Sequence, residues 1–259
     1  MAFYGKVALV TGGASGMGRI SALRLARQGA RVAIFDMNEV ALEETASQSP
    51  NITPFRCNVA DHDEVRARVA EVISQLGPID RLTHAAGIMP SHAVMDTTLV
   101  AARRLIDVNY FGTLHMIQAV VPAMVERNAG DVILFGSVSG MALTPKLGAY
   151  AASKAAVNVI GETLANELGD TALRICVVIP PAVNTPLLEQ SLSTDAAKAM
   201  REARASGRLN DPEKIVDQIE KGIEKGRKAI YPGEAKLLEV WHTLAPRLWW
   251  KTVLKFEKS

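Results

Sequence analysis

Residues 6–18 read Lys-Val-Ala-Leu-Val-Thr-Gly-Gly-Ala-Ser-Gly-Met-Gly, and this stretch decides the fold. Its first part, residues 6–11, is a short apolar run of the kind that forms a buried strand in a parallel sheet. Glycines at 12, 16 and 18 then let the backbone turn tightly, and a helical stretch follows. A strand, a glycine turn and a helix in this order predict the first unit of an α/β fold.

The same alternation of strand and helix continues along the chain. Apolar runs predict further strands at 31–35, 79–85, 131–136 and 173–179, with a last short strand at 229–232. Helices are predicted at 17–28, 38–48, 61–76, 98–127 and 150–168, and residues 186–225 are helical and partly polar. Repeated β-α-β units with right-handed crossovers predict a doubly wound parallel sheet with helices on both faces. We expect a single domain over residues 1–259.

Composition is that of an ordinary soluble globular protein. Hydrophobic residues make up 48% and charged residues 22%, and the formal charge of +2 gives no case for nucleic acid as a partner. Cys57 and Cys176 form no CxxC pair and are typical of reduced core cysteines. No signal peptide is visible, and no apolar run approaches the ~18 to 20 residues that span a bilayer. We therefore expect a cytoplasmic protein, and we predict no metal site.

The glycine turn is typical of a nucleotide site. Its backbone can approach a pyrophosphate closely, and the helix that follows offers free N–H groups and a partial positive charge. The candidate contacts in this turn are Gly12, Ser15, Gly16, Met17 and Gly18.

Asp36 closes the second predicted strand, about twenty residues after the turn. A carboxylate there accepts hydrogen bonds from both adenosine ribose hydroxyls and repels a 2′-phosphate. No Arg or Lys lies within the turn or directly after Asp36 to attract that phosphate, so the predicted cofactor is NAD rather than NADP. The alternative is that Asp36 only caps the next helix.

Tyr150-Ala-Ala-Ser-Lys154, with Ser137 upstream, carries the candidate chemistry. A Tyr and a Lys four residues apart share one face of a helix. A phenol titrates near ~10, and an ammonium one turn away favours the phenolate and lowers its pKa towards the working range. Beside a nucleotide, this pair and Ser137 are suited to moving a hydride and a proton together. Alone, Tyr-x-x-x-Lys also occurs by chance as a solvated pair.

Taken together, these pieces resemble the classical short-chain dehydrogenase/reductase family over nearly the whole chain. The matching pieces, in family order, are TGGASGMG at 11–18, Asp36, HAAG at 84–87, Asn109, Ser137, YAASK at 150–154 and PPAVNT at 180–185. The resemblance implies a single Rossmann-type domain with a seven-stranded parallel sheet. It further implies that the cofactor site includes Asn58, Val59, Ala86, Gly87, Tyr150, Lys154, Pro180, Val183 and Thr185.

The resemblance also implies a catalytic tetrad of Asn109, Ser137, Tyr150 and Lys154. In that family the tyrosine transfers the proton, the serine orients the substrate oxygen, and the lysine lowers the tyrosine pKa and binds the nicotinamide ribose. The asparagine backbone distorts its helix and holds a water in a proton relay. The function implied is NAD-dependent interconversion of a secondary alcohol and a ketone. The alternative is a non-catalytic NAD-binding regulator, which has no need of an intact tetrad.

Three positions depart from the family pattern. His84-Ala-Ala-Gly87 replaces Asn-Asn-Ala-Gly, and we interpret His84 as structural because it lies in a buried strand. Pro180-Pro181 replaces Pro-Gly and stiffens the loop over the nicotinamide. Asn58 replaces an aspartate that often contacts adenine, and its amide oxygen can still accept a hydrogen bond.

The residues expected around the nicotinamide are mostly apolar and predict a bulky hydrophobic alcohol or ketone as substrate. The candidates for this pocket are Met89, Met141, Leu143, Leu187 and Leu188. Residues 186–210 lie where the family places its substrate lid.

The segment 235–256 is amphipathic, with Trp and Leu at near-helical spacing and basic residues between them. Three placements stay open: over the substrate cleft, on a neighbouring subunit, or on a membrane surface. The family commonly forms homodimers and homotetramers, and the apolar stretch 113–125 suits such a contact face.

Overall fold

A seven-stranded parallel sheet forms the middle of this computed structural model, which describes residue 3 and residues 5–258. The strands are β1 Val7–Thr11, β2 Arg31–Asp36, β3 Ile52–Arg56, β4 Arg81–His84, β5 Asp131–Phe135, β6 Arg174–Val178 and β7 Ala229–Ile230. Their order across the sheet is β3-β2-β1-β4-β5-β6-β7, and each neighbouring pair is parallel. The chain thus winds outward in both directions from the sheet centre, which confirms the predicted doubly wound α/β class.

Helices cover both faces of the sheet, because successive strand side chains point to opposite sides. Leu9 packs in one apolar cluster with residues of α3 and α5, whereas Val10 packs in another with residues of α1 and α2. The helices are α1 Gly16–Arg27, α2 Glu39–Ala46, α3 His62–Leu76, α4 Leu99–Leu105, α5 Gly112–Glu126, α6 Gly148–Glu167, α7 Pro186–Leu192, α8 Lys198–Ala205, α9 Pro212–Glu224, α10 Ala235–Leu244 and α11 Pro246–Lys258.

Strand β3 is missing from the apolar-run pattern, and Pro54 explains why. Proline lacks the N–H that a central strand needs, so a run containing it does not predict a strand. Here β3 lies at the edge of the sheet and pairs with β2, with Pro54 opposite Ile34. An edge strand tolerates the lost donor because one of its sides has no partner strand.

The helix predicted at 98–127 is interrupted by a wider turn. Thr98 caps its start, where the hydroxyl accepts a hydrogen bond from Ala101 N at 3.1 Å. Residues Ile106–Phe111 then form a π-helical segment that separates α4 from α5. Such segments often occur at functional sites, and this one contains Asn109.

A buried ionic cluster joins β4, β5, β6 and α9 at the amino ends of these strands. The Arg81 side chain is 1% exposed, and its Nε and one terminal nitrogen donate to Asp131 Oδ2 at 3.0 and 2.8 Å. Another Arg81 nitrogen lies 3.5 Å from Glu220 Oε2. Arg174 Nε donates to the second Asp131 oxygen at 2.7 Å. Buried charges need such partners, since an unpaired one is costly.

The apolar stretch 113–125 lies in α5 and faces the core of its own chain. Met116 and Met124 are fully buried, and Val120 is nearly so. Core packing therefore accounts for the apolar composition of this stretch, which gives no separate argument for a subunit interface.

The C-terminal segment forms α10 and α11, which pack against their own chain. Within residue 3 and residues 5–258, no helix is long and apolar enough to cross a membrane. Trp249 is buried, and its indole Nε1 donates to the Leu143 carbonyl at 2.7 Å. The inner face of this segment therefore packs on its own chain, beside the loops that follow β5 and β6, and this packing does not decide among the three placements.

Candidate active site

Two adjoining cavities lie outside the carboxyl ends of the central strands, where open α/β sheets bind ligands. The first has a volume of about 340 Å³ and extends from the glycine turn after β1 to the ends of β2 and β3. The second, of about 80 Å³, lies between the loops that follow β4, β5 and β6. The two share Met17, Ala85, Gly87, Thr185 and Leu187, so one ligand can extend from the first cavity into the second.

The two cavities bring together all fifteen residues expected at a cofactor. Those on the first cavity are Gly12, Ser15, Gly16, Met17, Gly18, Asp36, Asn58, Val59, Ala86, Gly87 and Thr185. Those on the second are Tyr150, Lys154, Pro180 and Val183, with Met17, Gly87 and Thr185 on both.

The glycine turn leaves no space for side chains where it forms the cavity floor. Gly12 has a φ of +66°, and a Cβ there would lie 2.9 Å from Ala86 N. A Cβ on Gly18 would lie 2.2 Å from the Gly12 carbonyl oxygen. Helix α1 begins at Gly16, and the Ser15 side chain makes no capping hydrogen bond. The first-turn N–H groups of α1 thus have no side-chain cap, which fits a bound pyrophosphate.

The Asp36 carboxylate supports the glycine turn and the start of the next loop through hydrogen bonds to main-chain N–H groups. Its carboxylate accepts hydrogen bonds from Ala14 N at 3.3 Å, Met37 N at 2.8 Å and Asn38 N at 3.1 Å. The cap of α2 is Asn38, whose side-chain oxygen accepts from Ala41 N. Asp36 is therefore not the helix cap of the alternative interpretation, and its carboxylate lines the first cavity.

Tyr150 and Ser137 meet in the second cavity, and both are buried. Burial raises the pKa of Tyr150 to about 12, and a hydrogen bond with the Ser137 side chain acts in the opposite direction. The expected lowering of the Tyr150 pKa by Lys154 is not seen: the groups that act on this pKa are the buried surroundings and Ser137. Burial thus favours the neutral phenol, which is hydrogen-bonded to the serine.

Lys154 points from α6 towards the end of β5. Its ammonium donates to the Phe135 carbonyl at 2.8 Å, and burial lowers the pKa of Lys154 to about 8. A Cβ added to Gly87 would lie 3.5 Å from Lys154 Nζ and 3.1 Å from Asn109 Oδ1, so both groups lie close behind this glycine.

Asn109 lies behind the cavity wall and links three elements. Its side-chain oxygen accepts from Ile88 N at 2.9 Å, and its amide nitrogen donates to the Ile88 carbonyl and to Ser153 Oγ. Its main-chain carbonyl accepts from Thr113 Oγ1 at 2.6 Å. The side chain thus fastens the loop after β4 to the helix that carries Tyr150.

Asn158 positions Ser137 and was missed in the sequence. Its side-chain oxygen accepts from Ser137 N at 3.2 Å, and its amide nitrogen donates to the Ser137 carbonyl at 3.0 Å. The signal was available, because Asn158 follows Lys154 by one helical turn on the same face of α6.

Arg104 and Gln190 also line the first cavity, and neither was predicted. Arg104 lies on α4 and Gln190 on α7, far in sequence from the glycine turn. No local pattern links such positions, since only the folded chain brings them together.

His84 ties β4 to β1. Its Nδ1 lies 2.8 Å from Thr11 Oγ1, its register partner across the sheet. Thr11 Oγ1 in turn accepts from Ala86 N at 3.1 Å. His84 Nε2 is buried and has no hydrogen-bond partner among the described residues. Burial, with a smaller effect from Lys154, lowers the pKa of His84 to about 3.

Replacing His84 by Asn is expected to flatten the acid side of the stability profile. The folded pKa of about 3 lies below the ordinary value of 6.5. The neutral ring therefore contributes stability that is present above pH ~6.5 and is lost as the pH falls towards 3, at up to about 1.4 kcal/mol per pH unit. Urea unfolding over a pH series measures the slope. His92→Asn, in a half-buried loop, is the control, and equal slopes in wild type and H84N would contradict this account.

The expected substrate residues divide between two places. Met89, Leu187 and Leu188 line the second cavity, joined by Met200 from α8. Met141 and Leu143 do not line it. The short 3-10 turn Val138–Gly140 directs the chain away from the cavity, so that Met141 packs with Trp249 beneath the C-terminal helices.

Lys146 connects the loop after β5 to two other segments over the second cavity. Its ammonium lies 2.6 Å from Asp195 Oδ1, between α7 and α8, and 3.7 Å from Glu257 Oε1 on α11. Glu257 Oε2 also accepts from Lys198 N at the start of α8 at 2.7 Å. Lys146 has a φ of +66°, a conformation that needs support from its surroundings. These contacts hold α8, and with it Met200, over the cavity.

The sequence and the fold of this chain are similar to those of known proteins. A sequence model of the family described as short chain dehydrogenase matches residues 6–196. An uncharacterized oxidoreductase of Staphylococcus saprophyticus is 37% identical over 187 residues, which cover 70% of this chain and 80% of that protein. The 3-oxoacyl-acyl-carrier-protein reductase FabG of Thermotoga maritima is 32% identical, with 85% and 90% covered. A crystal structure of a short chain dehydrogenase/reductase from Burkholderia phymatum in complex with NAD has a TM-score of 0.85 at 23% identity, with 96% of both chains covered.

Proposed function

This chain belongs to the short-chain dehydrogenase family, and from that premise we propose that it is an NAD-dependent oxidoreductase that interconverts a secondary alcohol and a ketone. One observation carries the proposal. Tyr150, Ser137 and Lys154 share a cavity that adjoins the glycine cradle, with Met17, Gly87 and Thr185 on both. The NAD-bound solved relative has the same fold, which agrees with this assignment.

The residues divide the chemistry between them. When bound, NAD supplies the hydride acceptor at C4 of its nicotinamide. The substrate hydroxyl lies against Tyr150 Oη and Ser137 Oγ. The phenol first gives up its own proton, and the resulting phenolate takes the hydroxyl proton. Ser137 is held by Asn158 and keeps the substrate oxygen in place. Lys154 stabilises the phenolate electrostatically once its ammonium turns from the Phe135 carbonyl.

The walls of the second cavity favour a hydrophobic substrate. Met89 and Leu188 are buried there in one apolar cluster with Tyr150, and Met200 packs against that cluster. Such walls offer few partners to a sugar or an acid. We therefore propose a bulky hydrophobic alcohol or ketone.

The test of this function is reduced-cofactor absorbance over a panel of hydrophobic secondary alcohols and ketones, with NAD and NADP run in parallel. Turnover with NAD supports the proposal. Tight NAD binding with no turnover on any member of the panel would favour the regulator instead.

Asp36→Asn is expected to lower the preference for NAD over NADP by about tenfold or more, because it removes a negative charge that repels a 2′-phosphate. The side chain keeps its shape, so the turn stays supported by at least one oxygen. The measurement is the ratio of kcat/KM for the two cofactors. Asp63→Asn, on exposed α3, makes the same charge change as a control. An unchanged ratio in D36N would show that Asp36 does not set the preference.

Glu257→Gln is expected to raise KM for the substrate about fivefold, since it removes one ion pair of ~1 kcal/mol from the support of α8. The expected kcat and the dissociation constant of NAD are unchanged, because no catalytic group is touched. Glu202→Gln is the matched control. Glu202 pairs with the Lys198 ammonium, but both residues lie within α8. Its loss therefore leaves the contacts of Glu257 with Lys146 and Lys198 N intact. Equal KM values for E257Q and wild type would show that Glu257 does not support α8 over the substrate cavity.

We also propose that the chain assembles as a homodimer or homotetramer, as members of this family commonly do. Sizing with light scattering at micromolar concentration tests this directly, and a monomer there would count against it.

A further inference from the structure

The inner face of the C-terminal helices α10 and α11 packs against the body of the same chain. Ala235 and Trp249 are buried in one cluster with Val177 and Ile179 of the strand β6 region. The Trp241 and Trp249 rings pack edge to face, with centroids 5.1 Å apart. Since α10 and α11 both pack on this cluster, their remaining faces point away from it.

The outer face of α10 is aliphatic and exposed. Leu237, Val240 and Leu244 follow one another at helical spacing and are 69%, 38% and 79% exposed. Leu248, near the start of α11, is also aliphatic and is 54% exposed. A continuous apolar row at the surface of a soluble chain marks an interaction site more often than chance.

The outer face of α11 is basic. Arg247, Lys251, Lys255 and Lys258 are all exposed. In the part of the chain that the structure describes, none of these four has an ion-pair partner. Lys236 on α10, by contrast, is paired with Glu239 at 2.6 Å. Residues 235–258 carry five Lys or Arg and two Glu, a formal charge of +3, against +2 for the whole chain, so the rest of the chain is close to balance.

We propose that this C-terminal outer face, formed by Leu237, Val240, Leu244, Leu248, Arg247, Lys251, Lys255 and Lys258, binds the surface of an anionic phospholipid membrane. The aliphatic row enters the boundary between headgroups and acyl chains, as in interfacial amphipathic helices. The four unpaired cations lie against lipid phosphates, which attract basic residues within a Debye length. A second protein chain would need a complementary acidic and apolar surface, whereas an anionic bilayer offers both components everywhere.

This placement puts the membrane beside the lid of the second cavity. Glu257 of α11 contacts both Lys198 at the start of α8 and Lys146. A hydrophobic alcohol or ketone dissolved in the bilayer would be held next to α8. This consequence rests on the proposed function, but the lipid binding itself does not.

Co-sedimentation with vesicles tests the binding, without cofactor or substrate. The probes are vesicles of phosphatidylcholine alone and of phosphatidylcholine mixed with phosphatidylglycerol. We expect binding to the mixed vesicles that weakens as salt is raised, and little binding to the neutral ones. Reversing Arg247, Lys251 and Lys255 to Glu is expected to weaken the partitioning at least about tenfold. Leu244→Asp is expected to weaken it independently, because it interrupts the aliphatic row.

Two matched controls separate this face from general charge and hydrophobicity. Reversal of Lys214, Lys221 and Lys225 to Glu makes the same charge change on α9, which packs on the opposite face of the sheet. Val40→Asp makes the same polar change at a 71% exposed position on α2. The proposal is overturned if the α9 variant loses as much binding as the α11 variant, or if wild type does not distinguish the two vesicle types. It is also overturned if the outer-face variants bind normally but dissociate an oligomer on sizing, since a second copy would then cover this face.

Discussion

Tyr150→Phe is expected to lower kcat for alcohol oxidation by about 10²- to 10⁴-fold, because it removes the group that accepts the hydroxyl proton. The phenol is buried and hydrogen-bonded to Ser137, the residue that holds the substrate oxygen, so its loss removes the group aligned with that oxygen. The dissociation constant of NAD is expected to stay nearly the same, since the glycine turn and Asp36 lie in the first cavity. Steady-state turnover and a fluorescence titration with NADH measure the two quantities.

Tyr110→Phe is the control for the chemical change itself. Tyr110 lies in the π-helical segment and packs against Phe111, with ring centroids 5.2 Å apart. It lines neither of the two cavities. Its replacement is expected to leave kcat unchanged. If Y150F kept a tenth or more of the wild-type kcat, another group would have to move the proton.

Arg81→Met is expected to lower the free energy of unfolding by about 3–5 kcal/mol, because it leaves the buried Glu220 carboxylate without its paired cation. Asp131 retains Arg174, but the Glu220 carboxylate loses its nearby positive charge. Glu220 is nearly buried, and burial already raises its pKa despite Arg81. Urea denaturation measures the loss.

Arg24→Met is the matched control for Arg81→Met. Arg24 also pairs with two carboxylates, on Glu213 and Asp217, but these are 60% and 54% exposed. Its replacement is expected to cost no more than about 1 kcal/mol. Adding Glu220→Leu to Arg81→Met is expected to recover part of the stability, because the double variant buries no unpaired acid there. Equal losses in R81M and R24M would show that water reaches the buried cluster.

Sequence periodicity predicted the fold because most of its strands are buried on both faces. Runs such as residues 31–35 are continuously apolar, and the helices between them carry clear starts, as at Thr98. Strand β3 was missed because it contains Pro54. The apolar-run pattern identifies central strands, which exclude proline, whereas β3 is an edge strand that tolerates it. The π-helical segment at Asn109 was implied only by family resemblance, since no local sequence rule marks it.

The site was predictable where motifs lie on consecutive elements and unpredictable where distant segments meet. The positions of the glycine turn, Asp36 and the Tyr150 helix follow from the order of strands and helices along the sequence. All three line the two cavities. Met141 follows Ser137 closely, yet a 3-10 turn sends it to the C-terminal helices. Lys146 and Glu257 are 111 residues apart in sequence (257 − 146), so only the three-dimensional structure reveals their contact.

The most direct test of the central claim is the fate of the carbinol hydrogen. Wild-type protein is supplied with NAD and a hydrophobic secondary alcohol that carries deuterium at the carbinol carbon, and the reduced cofactor is analysed by mass spectrometry. The account predicts NADH that carries the deuterium and a slower rate than with the unlabelled alcohol when hydride transfer limits turnover. Reduced cofactor without the label, or none with any alcohol that the protein binds, would contradict it.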